Sequence, residues 1–141
     1  MNINCKISNS DSTVPLGLEI WIDDLLIFNF DHVEDPVDVN YDLDDSEGEH
    51  ELRFVLKNKT AEHTRLDEDG NIVKDTVLTI SDLKFDDIEL AQLFYDHAVY
   101  THNFNGSGEP IQDKFYGSLG CNGTVSMKFT TPVYLWLLEN L

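Results

Sequence analysis

Positive charge is what this chain has least of. Nine Lys plus Arg stand against 27 Asp plus Glu in 141 residues, a net charge of −18. A reader of duplex or single-stranded nucleic acid needs a basic stripe to displace counterions from phosphates, and this composition offers none. An anionic membrane surface repels such a chain for the same reason. Long apolar runs are also missing. No stretch approaches the roughly 18 apolar residues of a membrane span. The opening MNINCKISNSDSTVPLG has no continuous apolar core of the kind a secretory signal carries. A soluble protein is expected. Cysteine is nearly absent too: Cys5 and Cys121 are the whole set, and free buried thiols are the expectation. Asn58-Lys59-Thr60, Asn105-Gly106-Ser107 and Asn122-Gly123-Thr124 match the glycosylation tripeptide, and without a signal they read as turn chemistry.

The usual signatures of chemistry are missing as well. His32, His50, His63, His97 and His102 show no zinc spacing, and no Cys-x-x-Cys pair occurs. There is no nucleophile elbow, phosphate loop or dinucleotide fingerprint. With 27 carboxylates, some pair always meets a glycosidase's separation, so that pattern carries no specificity. The expectation is a protein that is not an enzyme.

What is present is alternation. Leu16, Leu18, Ile20 and Ile22 fall on every second position, which places them on one face of a strand. Asp23-Asp24 predicts a tight turn, and Leu25–Phe30 the returning partner. Leu52, Phe54 and Leu56 alternate with Glu51 and Arg53. Leu78 with Ile80, then Leu83–Phe85 and Ile88–Leu90, continue the pattern. Ala98–Phe104 is another candidate, and Val125, Met127 and Phe129 alternate cleanly. Asp69-Gly70-Asn71 is a strong hairpin signal. Short strands between turns predict an all-β antiparallel sandwich, jelly-roll-like, with residues 1–141 as a single domain. Hydrophobic content of 41% and aromatic content of 11% supply its core. At the end, Thr131-Pro132 resembles an N-cap followed by proline at the first helical position. A short C-terminal helix or strand is expected to bury Val133, Leu135, Trp136, Leu137 and Leu138, the alternative being a sticky patch for a partner.

The charge is uneven. Residues 7–52 hold 14 acidic side chains and no basic one, whereas residues 97–141 hold three acids and two lysines. Asp42, Asp44, Asp45, Glu47, Glu49 and Glu51 fall almost on alternate positions, so an extended segment puts them on one face or one loop. Such a run reads as a solvated edge protected by charge, with a cation site or a basic partner as alternatives. Asp67, Asp69 and Asn71 are the candidate metal ligands, because oxygen donors at alternate positions suit Ca²⁺. The pattern then departs: Ile72 stands where a calcium loop has glycine, and Leu78 where it has glutamate. A hairpin turn explains the same residues. Asp82, Asp86, Asp87 and Glu89 form a second acidic group of generic spacing.

Aromatic residues point to binding. Tyr95, Tyr100, Phe104, Phe115, Tyr116, Tyr134 and Trp136 all lie in the second half. Sugar rings stack an apolar face on aromatics while Asn, Asp and His bond their hydroxyls. Tyr100, His102, Asn103 and Asn105 are the candidate ligand-binding set. Phe104, Phe115 and Trp136 are expected in the core.

The segments Leu18–Asp23, His50–Lys59 and Leu78–Asp86 resemble the strand grammar of small β-sandwich carbohydrate-binding modules. That resemblance spans about residues 16–90 and implies a loop-borne or calcium-dependent glycan site. Lys114–Thr124 and Thr131–Asn140 resemble proteins of tailed bacteriophages with large genomes, including those of marine cyanobacteria. This implies a viral origin, the host cytoplasm and then the virion as location, and no known activity. The leading expectation is a non-catalytic module that recognises glycan as a virion accessory. The others are a structural head, neck or tail protein with virion partners and self-association, and an acidic DNA mimic that blocks a nucleic-acid-binding protein.

Overall fold

Strands form where every second side chain is apolar, because one face can then be buried while the other stays wet. The computed structural model describes residues 1–44, 46–90, 92–103 and 108–140. The strands are β1 (Asn2–Asn9), β2 (Gly17–Ile22), β3 (Leu25–Phe30), β4 (Val37–Asp42), β5 (Gly48–Lys57), β6 (Thr64–Leu66), β7 (Ile72–Asp75), β8 (Leu78–Phe85), β9 (Ile88–Glu89), β10 (Val99–His102), β11 (Ile111–Lys114), β12 (Ser118–Leu119) and β13 (Gly123–Thr131). Two helices, α1 (Gln92–His97) and α2 (Val133–Asn140), join them, with a 3₁₀ turn at Ala61–His63.

One sheet runs β12-β8-β1-β4, with β9 folded onto β8. The other runs β11-β10-β13-β5-β2-β3, and β6 pairs with β7 alone. Every pairing is antiparallel. The sandwich is therefore the one the alternation predicts. Its spine is the β13–β5 ladder, which holds register from Gly123 opposite Leu56 to Thr131 opposite Gly48.

Ile3, Cys5 and Ile7 of β1 and Leu78, Ile80 and Phe85 of β8 join one buried cluster with Leu18, Ile20, Leu52, Phe54, Val125, Met127 and Phe129 from the other sheet. Phe85 and Phe129 meet between the sheets with ring centroids 4.8 Å apart. Full burial of side chains of this size stabilises by about 1.5–3 kcal/mol each. Cys5 is buried and Cys121 half-buried, both free thiols. Burial, then the charge of Asp38, pushes the Cys5 thiol up to about 12. No described helix is long and apolar enough to cross a membrane.

Two expectations change at the C-terminus. β13 runs through Thr131, and its hydroxyl donates to the Ser46 carbonyl at 2.6 Å instead of capping a helix. The Thr131–Pro132 peptide is cis, and α2 begins after the proline, at Val133. The helix buries Val133, Trp136 and Leu137 but leaves Tyr134, Leu135 and Leu138 exposed. The acidic run is also divided. Asp42 lies on β4 of one sheet, and Glu49 and Glu51 lie on β5 of the other. Asp45 is outside the described residues.

Candidate functional site

β10 carries the residues that sequence singled out, and the alternation of the strand divides them. Tyr100 and His102 turn inward at 7% and 8% exposure. The Tyr100 ring packs edge-on against Phe115 at 6.4 Å. Its hydroxyl accepts the Cys121 N–H at 2.9 Å and donates to the Cys121 carbonyl. Burial pushes this phenol up to about 12, so it stays protonated. Tyr100 is a strut between β10 and the segment leading into β13. His102 lies 4.7 Å from the Tyr100 ring, and its Nε2 is 2.7 Å from Asp113 Oδ2. The carboxylate only accepts, so this nitrogen carries the proton. The Asn103 carbonyl accepts the Gly108 N–H at 3.1 Å. Asn105 and Phe104 lie outside the described residues.

Among the described residues, the exposed aromatic of this region is Tyr116. After β11, Phe115 is fully buried and Gly117 takes φ +103°. A side chain at Gly117 would also lie 3.3 Å from the Tyr95 hydroxyl. Here the chain crosses from the β11 sheet to the β12 sheet, and the Gly117 carbonyl accepts the Ile80 N–H at 2.9 Å. Tyr116 is left at the corner with 78% of its surface exposed. The Lys114 ammonium lies 5.8 Å from its ring centroid and 3.4 Å from Asp96 Oδ1. Gln92 and then Lys114 hold the Asp96 carboxyl below its ordinary value.

These residues enclose a cleft of about 430 Å³ lined by Tyr100, His102, Asp113, Lys114, Tyr116 and Ser118. A second cleft of about 220 Å³ lies against Thr101, His102, Asn103, Pro110, Asn122 and Gly123. His102 borders both. The pair presents an aromatic face, a carboxylate, an ammonium, a hydroxyl and carboxamides within a few residues. Asn122 is already engaged: its Nδ2 donates to the Lys59 carbonyl at 2.7 Å and its Oδ1 accepts the Lys59 N–H at 2.9 Å. The candidate set from sequence includes Tyr100, His102 and Asn103 but not Asp113 or Lys114, and Tyr116 stands only among the aromatics that point to binding. The available signal was the Phe-Tyr-Gly triplet, in which a glycine corner turns the middle ring outward.

The residues of the calcium expectation lie elsewhere, in the β6–β7 turn. Asp67 Oδ1 accepts the Asp69 and Asn71 N–H groups, both at 2.9 Å. Those bonds, Asn71 first, hold the Asp67 carboxyl below its ordinary value. The carboxylate closes a hairpin turn. Among the described residues no three His, Cys, Asp or Glu side chains gather as a metal-ion shell. Of the second acidic group, Asp86 accepts the Asn2 N–H at 2.7 Å, Asp86 and Asp87 take positive φ at the β8–β9 turn, and Asp82 does so within β8 where its pairing with β1 shifts register.

A further groove of about 470 Å³ borders Asp23, His50, Phe129 and Trp136. There His50 Nδ1 is 2.9 Å from Asp23 Oδ2, and its Nε2 is 3.2 Å from Thr131 Oγ1. The order resembles a carboxylate–imidazole–hydroxyl relay, but Thr131 is buried and directs its proton to Ser46. The chain of bonds clamps the β2–β3 turn to the end of β13. Comparison with protein-family models, curated proteins and solved structures finds no match for this chain.

Proposed function

We propose that this chain is a non-catalytic β-sandwich module that binds glycan in the cleft beneath Tyr116. The observation that carries this reading is the Tyr116 ring, 78% exposed and bordered by Asp113, Lys114, Ser118 and His102. An exposed tyrosine face takes the apolar C–H face of a pyranose, and the surrounding carboxylate, ammonium, imidazole and hydroxyl satisfy its ring hydroxyls. Backbone pairing of β10, β11 and β12 fixes most of the cleft before ligand arrives, which lowers the ordering cost of binding. In this reading Tyr100 supports the cleft and Tyr116 contacts the sugar.

The test is a glycan array followed by calorimetric titration of the retained sugar. Tyr116→Ala is expected to weaken binding at least tenfold, about 1.4 kcal/mol. Tyr134→Ala, on the exposed face of α2, is expected to leave it unchanged. Failure to retain any glycan, or equal affinity of Tyr116→Ala and the parent, refutes the assignment.

A further inference from the structure

We propose that the β6–β7 arm docks on the free β3 edge of a second copy of this chain. The arm is a two-stranded ribbon belonging to neither sheet. Two-stranded ribbons gain little stability from their own pairing. Its base is nevertheless fixed. The Lys59 side chain is fully buried, meets Asp75 Oδ1 at 2.5 Å and also donates to the Thr76 carbonyl. Thr64 donates to the same carboxylate oxygen at 2.8 Å, and Lys74 reaches Asp11 at 3.1 Å. Beyond this anchor, Leu66, Ile72 and Val73 stand 56%, 64% and 58% exposed. Leu66 lies opposite Ile72, and Arg65 opposite Lys74. Like charges facing each other across a ribbon repel. Among the described residues Arg65 makes no ion pair. Lys74 is held by Asp11, so Arg65 is the cation this apolar ribbon offers to an apolar surface edged by carboxylates.

β3 is that surface. It ends the six-stranded sheet and, among the described residues, pairs only with β2, so one row of its backbone groups is unpaired within them. Leu25 and Leu26 are 57% and 38% exposed at its start. Asp24 precedes them, and Asp31, 91% exposed in its side chain and 3.3 Å from the Lys57 ammonium, follows the strand. The strand lies within the 7–52 segment, which has 14 acidic residues and no basic one. Lysine or proline within the strand is one guard of natural edges, and β3 has neither; Lys57 of β5 reaches Asn29 near its far end, away from Leu25 and Leu26. Arm and edge are different patches of one molecule, so the contact is head-to-tail and repeats into a ring or a filament. The net charge of −18 opposes approach. Salt screens that repulsion beyond about 8–10 Å while the apolar and backbone contacts persist, so association is favoured at physiological rather than low ionic strength.

Sedimentation velocity across a concentration series in 150 mM NaCl tests the contact. The parent is expected to associate. Arg65→Glu and Asp24→Lys are each expected to weaken association at least tenfold, and their equimolar mixture to restore it. Restoration also shows that both variants are folded. Tyr134→Ser/Leu138→Ser, on the exposed face of α2, is expected to change nothing. A parent that stays monomeric, charge variants that associate like the parent, a mixture that fails to recover, or loss confined to the α2 variant overturns the proposal.

Discussion

Gly123 is where a single added atom costs most. A Cβ there would lie 2.3 Å from the Thr101 carbonyl oxygen and 2.9 Å from His102 Cβ. Thr101 has little room to retreat, because β10 is paired on both sides, with β11 and with β13. Gly123→Ala is therefore expected to destabilise by about 3 kcal/mol, the upper end for forcing atoms into a packed site. The urea midpoint reads this directly, and an unchanged midpoint would mean the two strands can separate freely. In the sequence Gly123 reads only as turn chemistry, within Asn122-Gly123-Thr124. Its need for glycine comes from Thr101, 22 residues away, which local composition does not reveal. The same limit applies to the aromatics. Alternation located β10, but whether a given phenol is a strut or a platform depends on what meets its oxygen. Tyr100 finds Cys121, whereas Gly117 turns Tyr116 outward.

Whole elements were legible in proportion to how cleanly one face is apolar. β2, β5 and β13 carry unbroken aliphatic or aromatic alternation and formed where the pattern placed them, whereas β8 joins two such pieces across a break at Asp82. β4 also alternates, with Val37, Val39 and Tyr41 between Asp38, Asn40 and Asp42, but its charge hid the strand inside an acidic run. β11 reads Ile-Gln-Asp-Lys and owes its existence to its neighbour β10. α1, six residues long, is too short to show a helical period. The arm was legible from Asp69-Gly70, but its anchor was not, since Lys59 and Asp75 are 16 residues apart. Breaking a buried ion pair by removing one partner commonly costs about 3–5 kcal/mol. Asp75 retains 28% exposure and its bond from Thr64, which reduces the penalty. Lys59→Met is expected to cost about 2 kcal/mol. It is also expected to speed amide hydrogen exchange throughout β6 and β7 more than in β13. Uniform protection in the arm would show that some other contact holds it.

For the molecule as a whole, the charge sets how stability responds to solvent. At pH 7 a net charge of −18 repels itself across a small sandwich, and salt screens that repulsion. Adding 0.5 M NaCl is expected to gain about 1 kcal/mol and raise the melting midpoint by about 4 °C. Several carboxylates work in the opposite sense. Asp11 is lowered to about 2 by the Thr13 hydroxyl and N–H and then by Lys74. Asp44 is lowered by the Ser46 N–H, and Asp67 by its turn. Burial alone would raise Asp23, but His50 and the Glu51 N–H bring it below its ordinary value. Groups whose folded values are depressed stabilise fully above their unfolded value of about 3.9, and that stabilisation is lost as pH falls through the folded values. Acidification from pH 7 first relieves repulsion, so the midpoint should hold or rise to about pH 5 and then fall below about pH 4. If general repulsion is the cause, Ca²⁺ and Mg²⁺ at equal concentration act alike, because Asp67 already spends one carboxylate oxygen on two N–H groups. A rise with Ca²⁺ that Mg²⁺ does not match would place a specific ion on the acidic surface, since a ligand selective for the native state must raise its midpoint.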